Sequence, residues 1–156
     1  MRRIIYTRPD GGLSVVRPII NTHPNPENIT EAEAEQRAWD RLPSNAINPK
    51  FIEESAVPSD RTFRDAWMMS GNGIIEHDME KCRAIHRQRL RTLRAPLLIK
   101  LDVEYMKALE AGDQSQCAAI EDKKNSLRNV TDDHAVDSAS TPEELKTIIP
   151  KCLSQT

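Results

Sequence analysis

The side chains with the clearest potential for chemistry are a cysteine and a histidine. Cys82 and His86 are four residues apart, which places them on one face of a helix at the spacing used by two zinc ligands. A metal site would need further ligands, and only Cys117, His77 or a carboxylate could supply them. Both residues also lie within an apolar stripe, where a buried thiol and a hydrogen-bonded core histidine are the more common arrangement. The sequence therefore predicts no metal site and no cofactor.

Other residue patterns that could support catalysis are incomplete. Cys117 as a nucleophile would need an oriented histidine base, and the sequence has none in a recognisable context. Asp102 and Glu104 are two residues apart and point in different directions on a helix, so they cannot form a carboxylate pair. The sequence contains no glycine-rich phosphate loop, no nucleophile elbow and no HExxH motif. These patterns predict a protein that is not an enzyme.

A run of arginines is the strongest charge feature. Five arginines lie between positions 83 and 94 with no acidic residue among them. Residues 78–131 carry 11 basic and 8 acidic side chains, whereas residues 132–156 carry 2 and 5. The run could be a solvated helix flank or pair with the acidic tail, and it could also contact a partner protein. Nucleic acid is disfavoured because stacking aromatic side chains are absent from this region.

Composition limits the class of protein. The chain has 156 residues, a net charge of −2 and six aromatic residues, with a mean hydropathy of −0.61. Such a balance excludes a broadly cationic nucleic-acid coat. The sequence has no apolar run of membrane-spanning length, and a secretory signal is not expected. With so few large side chains, we expect a thin core and an extended or modular chain that completes its burial against partners.

The first half is predicted to be a small α+β module, residues 1–77, with two hairpins. Ile4–Thr7 and Leu13–Arg17 flank an Arg-Pro-Asp-Gly-Gly turn. A helix begins at Thr30 in a capping box with Glu33 and ends before Pro43. Further strands are predicted at Phe51–Val57, as an edge strand, and in a hairpin of Thr62–Met69 with Ile74–His77. The core is expected to contain Tyr6, Trp39, Phe63 and Trp67.

The second half, residues 78–156, is predicted to be helical. A long helix, residues 78–111, begins at Asp78 and is expected to kink near Pro96. The link Gly112–Asp113 favours an antiparallel hairpin with a helix over residues 113–130. A short helix over residues 142–149 follows a second capping box at Thr141. The predicted fold class is therefore α+β.

The long helix is also the predicted partner-binding element. Its apolar stripe is narrow, and arginines lie beside it, so one helical face combines leucines with basic side chains. The residues predicted for this face are Arg83, Arg87, Leu90, Arg91, Leu93, Arg94, Leu97, Leu98, Leu101 and Tyr105.

Several segments of the chain resemble those of one known family. They are Phe63–Trp67, Asp78–Arg83 leading to His86, Arg94–Pro96 into Leu101–Met106, Glu110–Asp113, Lys124–Arg128 and Thr141–Leu145. On these segments the chain resembles the small tail-assembly-chaperone-like proteins of tailed bacteriophages, which are relatives of tail-fibre assembly proteins. The opening Ile5–Gly12 also resembles proteins that carry this module. The matching residues are caps, turns and leucines, and none is catalytic.

The resemblance implies a non-enzymatic protein that binds phage tail or tail-fibre proteins as an assembly chaperone or accessory. It implies action in the host cytoplasm during assembly, with retention in the virion tail as an open alternative. Two other functions stay open: a stoichiometric subunit of the tail, baseplate or fibre attachment, and a small effector that inhibits a host defence protein. Self-association is compatible with each of these functions, whereas a membrane partner is not expected.

Overall fold

The computed structural model describes residues 1–21, 24–25 and 28–154. The chain divides into two compact units, Met1–Asp78 and Met79–Thr156. The first unit contains all five strands of the described chain, and the second is helical. The predicted α+β class is confirmed.

The first unit contains a three-stranded antiparallel sheet. Its strands are β1 (Arg3–Thr7), β2 (Leu13–Val16) and β3 (Ile47–Ile52), in the order β2-β1-β3. The predicted β1–β2 hairpin is confirmed. Its turn is closed by the Arg8 N–H, which donates to the Gly12 carbonyl at 2.8 Å, and Gly11 has a φ of 79°. Glycine fits there because side chains disfavour positive φ.

The prediction of an edge strand at Phe51–Val57 is wrong in its position. The strand β3 is an edge strand, but it begins at Ile47 and ends at Ile52, and a 3-10 turn over Glu54–Ala56 follows it. The register with β1 shifts between Ile5 and Thr7, and Asn48 has a φ of 49°. This irregularity lets Pro49 lie inside an edge strand, which the sequence pattern did not indicate.

One helix and a short hairpin complete the first unit. The helix α1 (Glu31–Asp40) has the predicted capping box: the Glu33 N–H donates to the Thr30 hydroxyl, and the Glu33 carboxylate accepts from the Thr30 N–H. The predicted second hairpin is confirmed as β4 (Trp67–Met69) with β5 (Ile75–His77). Its first strand is shorter than Thr62–Met69, because residues Arg64–Ala66 form a 3-10 turn.

The core of the first unit is more aliphatic than predicted. Phe63 and Trp67 are buried, as expected. Tyr6 and Trp39 are only half-buried, so their placement in the core was wrong. The Trp39 ring stacks on Phe51 with 4.9 Å between ring centroids, and both residues are half-buried. The interior is formed largely by other residues, namely Ile4, Ile5, Leu13, Ala34, Ala66 and Ile75.

The second unit is built on a helical hairpin. The helix α2 (Met79–Glu110) continues through Pro96, and α3 (Gln114–Arg128) begins at an Asp113 cap whose carboxylate accepts from the Gln116 N–H. Gly112, with a φ of 72°, turns the chain between them. The two helices run antiparallel, because contacts between them pair early α2 residues with late α3 residues. The bend at Pro96 stays a prediction.

The C-terminal segment contains more helices than predicted. A 3-10 turn (Asn129–Thr131) ends the helix expected to reach residue 130, and α4 (His134–Ser138) follows. The helix α5 (Pro142–Thr147) has the predicted capping box at Thr141 but ends two residues early. A last helix, α6 (Lys151–Ser154), follows Pro150 and was not predicted. Proline is well tolerated at a helix start.

Candidate partner-binding site

The predicted arginines of α2 hold the C-terminal segment in place. Arg83 Nη2 donates to the Ala139 carbonyl at 2.9 Å. Arg87 Nε donates to the Thr131 carbonyl at 3.1 Å, and its Nη2 pairs with Asp137 at 2.5 Å. This ion pair lowers the pKa of Asp137, because the Arg87 guanidinium stabilises the carboxylate. The arginine run therefore pairs in part with the acidic tail, as the sequence allowed.

A third arginine binds the carboxyl end of α3. Arg94 Nη1 donates to the carbonyls of Leu127 and Arg128. The last carbonyls of a helix lack intrahelical donors and carry partial negative charge, so a guanidinium there is favourable. The guanidinium groups of Arg83, Arg87 and Arg94 all donate within their own unit. They therefore have few hydrogen-bond donors left for a partner protein.

The predicted leucines also lie mostly on the inner side of α2, the side that packs against the rest of the second unit. Leu90 is 1% exposed and cannot contact a partner in this conformation. The side chains that are half-buried are Leu97, Leu98, Leu101 and Tyr105. Of the predicted partner-binding residues, only Arg91 and Leu93 are exposed. Most of the predicted face is thus occupied by the packing of α3 and the C-terminal segment on α2.

Polar contacts fix the inner side of α2 against α3. Lys124 Nζ lies 2.6 Å from Asp102 Oδ1 and 5.2 Å from the Tyr105 ring centroid. The Tyr105 hydroxyl donates to Glu121 at 3.0 Å. That hydrogen bond raises the pKa of Tyr105, because the Glu121 carboxylate favours the protonated phenol. These contacts define which side of α2 is covered.

The opposite side of α2 is apolar and exposed. The fractional exposures are 66% for Ile99, 53% for Val103, 53% for Met106 and 55% for Leu109. At 100° per residue, the first three project roughly opposite to the half-buried Leu101 and the buried Ala108. We call Ile99, Val103 and Met106 the outer face of α2. The second half of this helix is therefore apolar on two opposite sides.

Sequence reasoning missed the outer face. It followed the stripe that includes Leu90, Leu97 and Leu101, which is the side of α2 that is buried or half-buried. A second stripe was present in the same segment, since Pro96, Ile99, Val103 and Met106 are separated by three, four and three residues. Helix packing on one side leaves such a second stripe in water, so a search for two stripes would have found it.

The Cys82–His86 pair belongs to the core. Both side chains are buried, and the His86 Nε2–H donates to the Ile148 carbonyl at 3.0 Å. Burial lowers the pKa of His86, and the nearby Arg89 and Arg87 act in the same direction. All three cysteines are free thiols. Among the residues that the structure describes, no cluster of three possible ligands could hold a metal ion.

Comparisons with known proteins leave the function to the geometry. No family model, no curated protein and no solved structure matches the chain. Within the described ranges, no helix has both the length and the apolar character needed to cross a membrane.

Proposed function

We propose that this chain is a non-enzymatic protein of a tailed bacteriophage that binds tail or tail-fibre components as an assembly chaperone. The observation that carries the proposal is the outer face of α2, where Ile99, Val103 and Met106 are more than half exposed although the other side of the helix is already packed. The phage assignment rests on the resemblance of Phe63–Leu145 to tail-assembly-chaperone-like proteins.

The outer face suits a protein partner with an apolar helix or groove of its own. Neighbouring large apolar side chains on a monomer surface are typical of binding sites. Completing the burial of each such side chain contributes up to roughly 1.5–3 kcal/mol. Three or four of them together provide enough apolar contact for association that is stable during assembly and reversible afterwards. The protein acts in the host cytoplasm, where unassembled tail proteins expose matching surfaces.

A capture experiment tests the proposed contact. The tagged full-length chain is mixed with purified tail and tail-fibre proteins of its own phage. We expect capture by the wild type, and a loss of about tenfold or more for Ile99→Glu and Val103→Glu, because a charge in the centre of an apolar contact is strongly unfavourable. Ile74→Glu is the matched control, since Ile74 is 61% exposed in the first unit. Equal capture by all variants would contradict a role for the outer face.

Mass spectrometry of purified virions separates the chaperone from a structural subunit. A chaperone leaves the particle, so the protein is expected to be absent from mature virions. Presence at a fixed copy number would replace the chaperone role with that of a stoichiometric tail or fibre-attachment subunit. Absence of binding to every tail protein would contradict both functions.

A further inference from the structure

The two edges of the sheet in the first unit differ in their ability to pair with a further strand. At the β3 edge, Pro49 lacks an N–H, Asn48 is in a left-handed conformation and the register shifts. Such features discourage the addition of a further strand. The β2 edge has none of them, because Leu13–Val16 pairs with β1 in an unbroken register. This edge is therefore open to strand pairing.

The hairpin geometry shows which backbone groups face outward from β2. The bond from the Arg8 N–H to the Gly12 carbonyl closes the ladder. In an antiparallel pair the bonded residues alternate, so Ser14 bonds to β1 while Val15 and Arg17 direct their N–H and C=O groups away from it. Within the described part of the chain, no strand is hydrogen-bonded to β2 on that side, and the outward Leu13 carbonyl accepts from Arg8 Nη1. The outer groups of Val15 and Arg17 are available to a ligand backbone.

A basic groove follows the same edge. It has a volume of about 530 Å³ and lies between β2 and the segment of residues 57–67. Its lining carries two carboxylates, Glu54 and Asp65, and a larger number of arginines. Glu54 is paired with the buried Arg3, which lowers the pKa of Glu54. Arg8 and Arg64 are paired with Asp10 and Asp65, so the ligand contacts fall to Arg17 and Arg61. The arginines of the lining are Arg3, Arg8, Arg17, Arg61 and Arg64.

We propose that this groove binds an extended acidic segment of another protein, which adds as a strand along the free edge of β2. The ligand backbone bonds to Val15 and Arg17, and its carboxylates lie against the guanidinium groups of Arg17 and Arg61, which are both exposed. Strand addition supplies affinity through main-chain hydrogen bonds, and the charges supply selectivity. A nucleic acid would use the arginines but not the strand edge, so the open edge favours a polypeptide. This site is independent of the outer face of α2.

Amide shifts of the full-length ¹⁵N-labelled protein test strand addition. The probe is a short capped peptide of alternating glutamate and valine. We expect saturable shifts at the amides of Val15 and Arg17. The same peptide with N-methyl groups on alternate residues cannot donate along one edge and is expected to bind about tenfold more weakly or worse. No saturable shift, or equal binding of both peptides, would overturn the proposal.

Charge variants test the arginine contacts. Arg17→Glu and Arg61→Glu are each expected to weaken peptide binding by about tenfold, since each replaces an attraction with a repulsion. Lys123→Glu makes the same change of charge at an exposed position of α3 and is expected to leave binding unchanged. Retained spectral dispersion shows that each variant is folded. Equal weakening by all three variants, or tighter binding of a single-stranded oligothymidylate than of the acidic peptide, would overturn the proposal.

Discussion

Individual arginines of α2 act as internal donors. Arg83, Arg87 and Arg94 reach backbone carbonyls of the segment that follows α3 and of the end of α3 itself. A charge-assisted hydrogen bond to a backbone carbonyl contributes roughly 1.5–3 kcal/mol when it is shielded from water. The spacing of these arginines therefore reflects the packing of the second unit, and their positive charge is not by itself a sign of a partner.

Buried His86 makes the stability of the second unit depend on pH. Burial lowers its pKa in the folded protein, whereas the unfolded chain has the ordinary value of about 6.5. The unfolded state therefore takes up the proton first, so the stabilising contribution is complete above about pH 6.5 and is lost as the pH falls below it. We expect the free energy of unfolding, measured with urea, to decrease from pH 7.5 to pH 5.5.

The His86→Gln variant isolates this effect. Its side-chain amide can still donate toward the Ile148 carbonyl but does not titrate in this range. Carboxylates such as Asp137 and Glu144, whose pKa values are lowered in the fold, lose stabilisation at lower pH in both proteins. We therefore expect the wild type to lose more stability than the variant below about pH 6.5. Parallel curves for the two proteins would contradict the role of His86.

At the scale of elements, α2 has one side packed within the second unit and another side exposed. Its first half is covered by the C-terminal segment, and its second half packs on α3 while the outer face remains exposed. Exposed apolar residues occur singly on most proteins, whereas a helical row of them is the kind of surface through which proteins bind other molecules. The length of α2, well beyond that of an average helix, provides room for both surfaces.

Pro96 lies in the middle of α2 and is exposed. Because it has no N–H, the Thr92 carbonyl lacks its helical donor, and a proline in a helix interior costs about 3 kcal/mol relative to alanine. We expect Pro96→Ala to stabilise the second unit by about 1–3 kcal/mol in urea unfolding. Lys100→Ala, at an exposed position of the same helix, is the control and should change stability little. A loss of stability in Pro96→Ala would show instead that a bend at Pro96 is required for the packing of α3.

At the scale of the whole molecule, each unit has its own interior. Ile5, Leu13, Trp67 and Ile75 form a core cluster in the first unit. In the second unit, buried side chains come from α2, α3 and the C-terminal segment, namely Cys82, Leu90, Ile120, Leu127, Val136 and Leu145. Separate interiors in one chain are the mark of separate domains.

The helical unit is therefore expected to fold when expressed alone as residues 79–156. Its core, its ion pair between Arg87 and Asp137 and its capping box at Thr141 all lie within that range. A chain of this size is only marginally stable. Because it has its own core, the expected result is a helical circular dichroism spectrum with a cooperative thermal transition. A spectrum without cooperative unfolding would contradict the autonomy of this unit.

Much of the local structure was determined by the sequence alone. Helix starts are specified by short-range hydrogen bonds in the capping boxes at Thr30 and Thr141. Turns are specified by backbone sterics at Gly11 and Gly112. These signals need no distant partner, so the first hairpin, α1 and the α2–α3 hairpin could be predicted. The bounds of β3 could not, because its pairing with β1 depends on a strand far away in the chain.

Only the tertiary structure decided which surfaces are free. Two apolar stripes run along α2, and their residue types are alike, so the sequence could not indicate which one α3 would cover. Likewise, Arg83, Arg87 and Arg94 resemble a basic binding face in the sequence, yet the fold brings residues 127–139 to their guanidinium groups. The physical reason is that exposure depends on long-range packing, whereas caps and turns depend on neighbours. Among the described residues, the outer face of α2 and the edge of β2 are two surfaces that this packing leaves open.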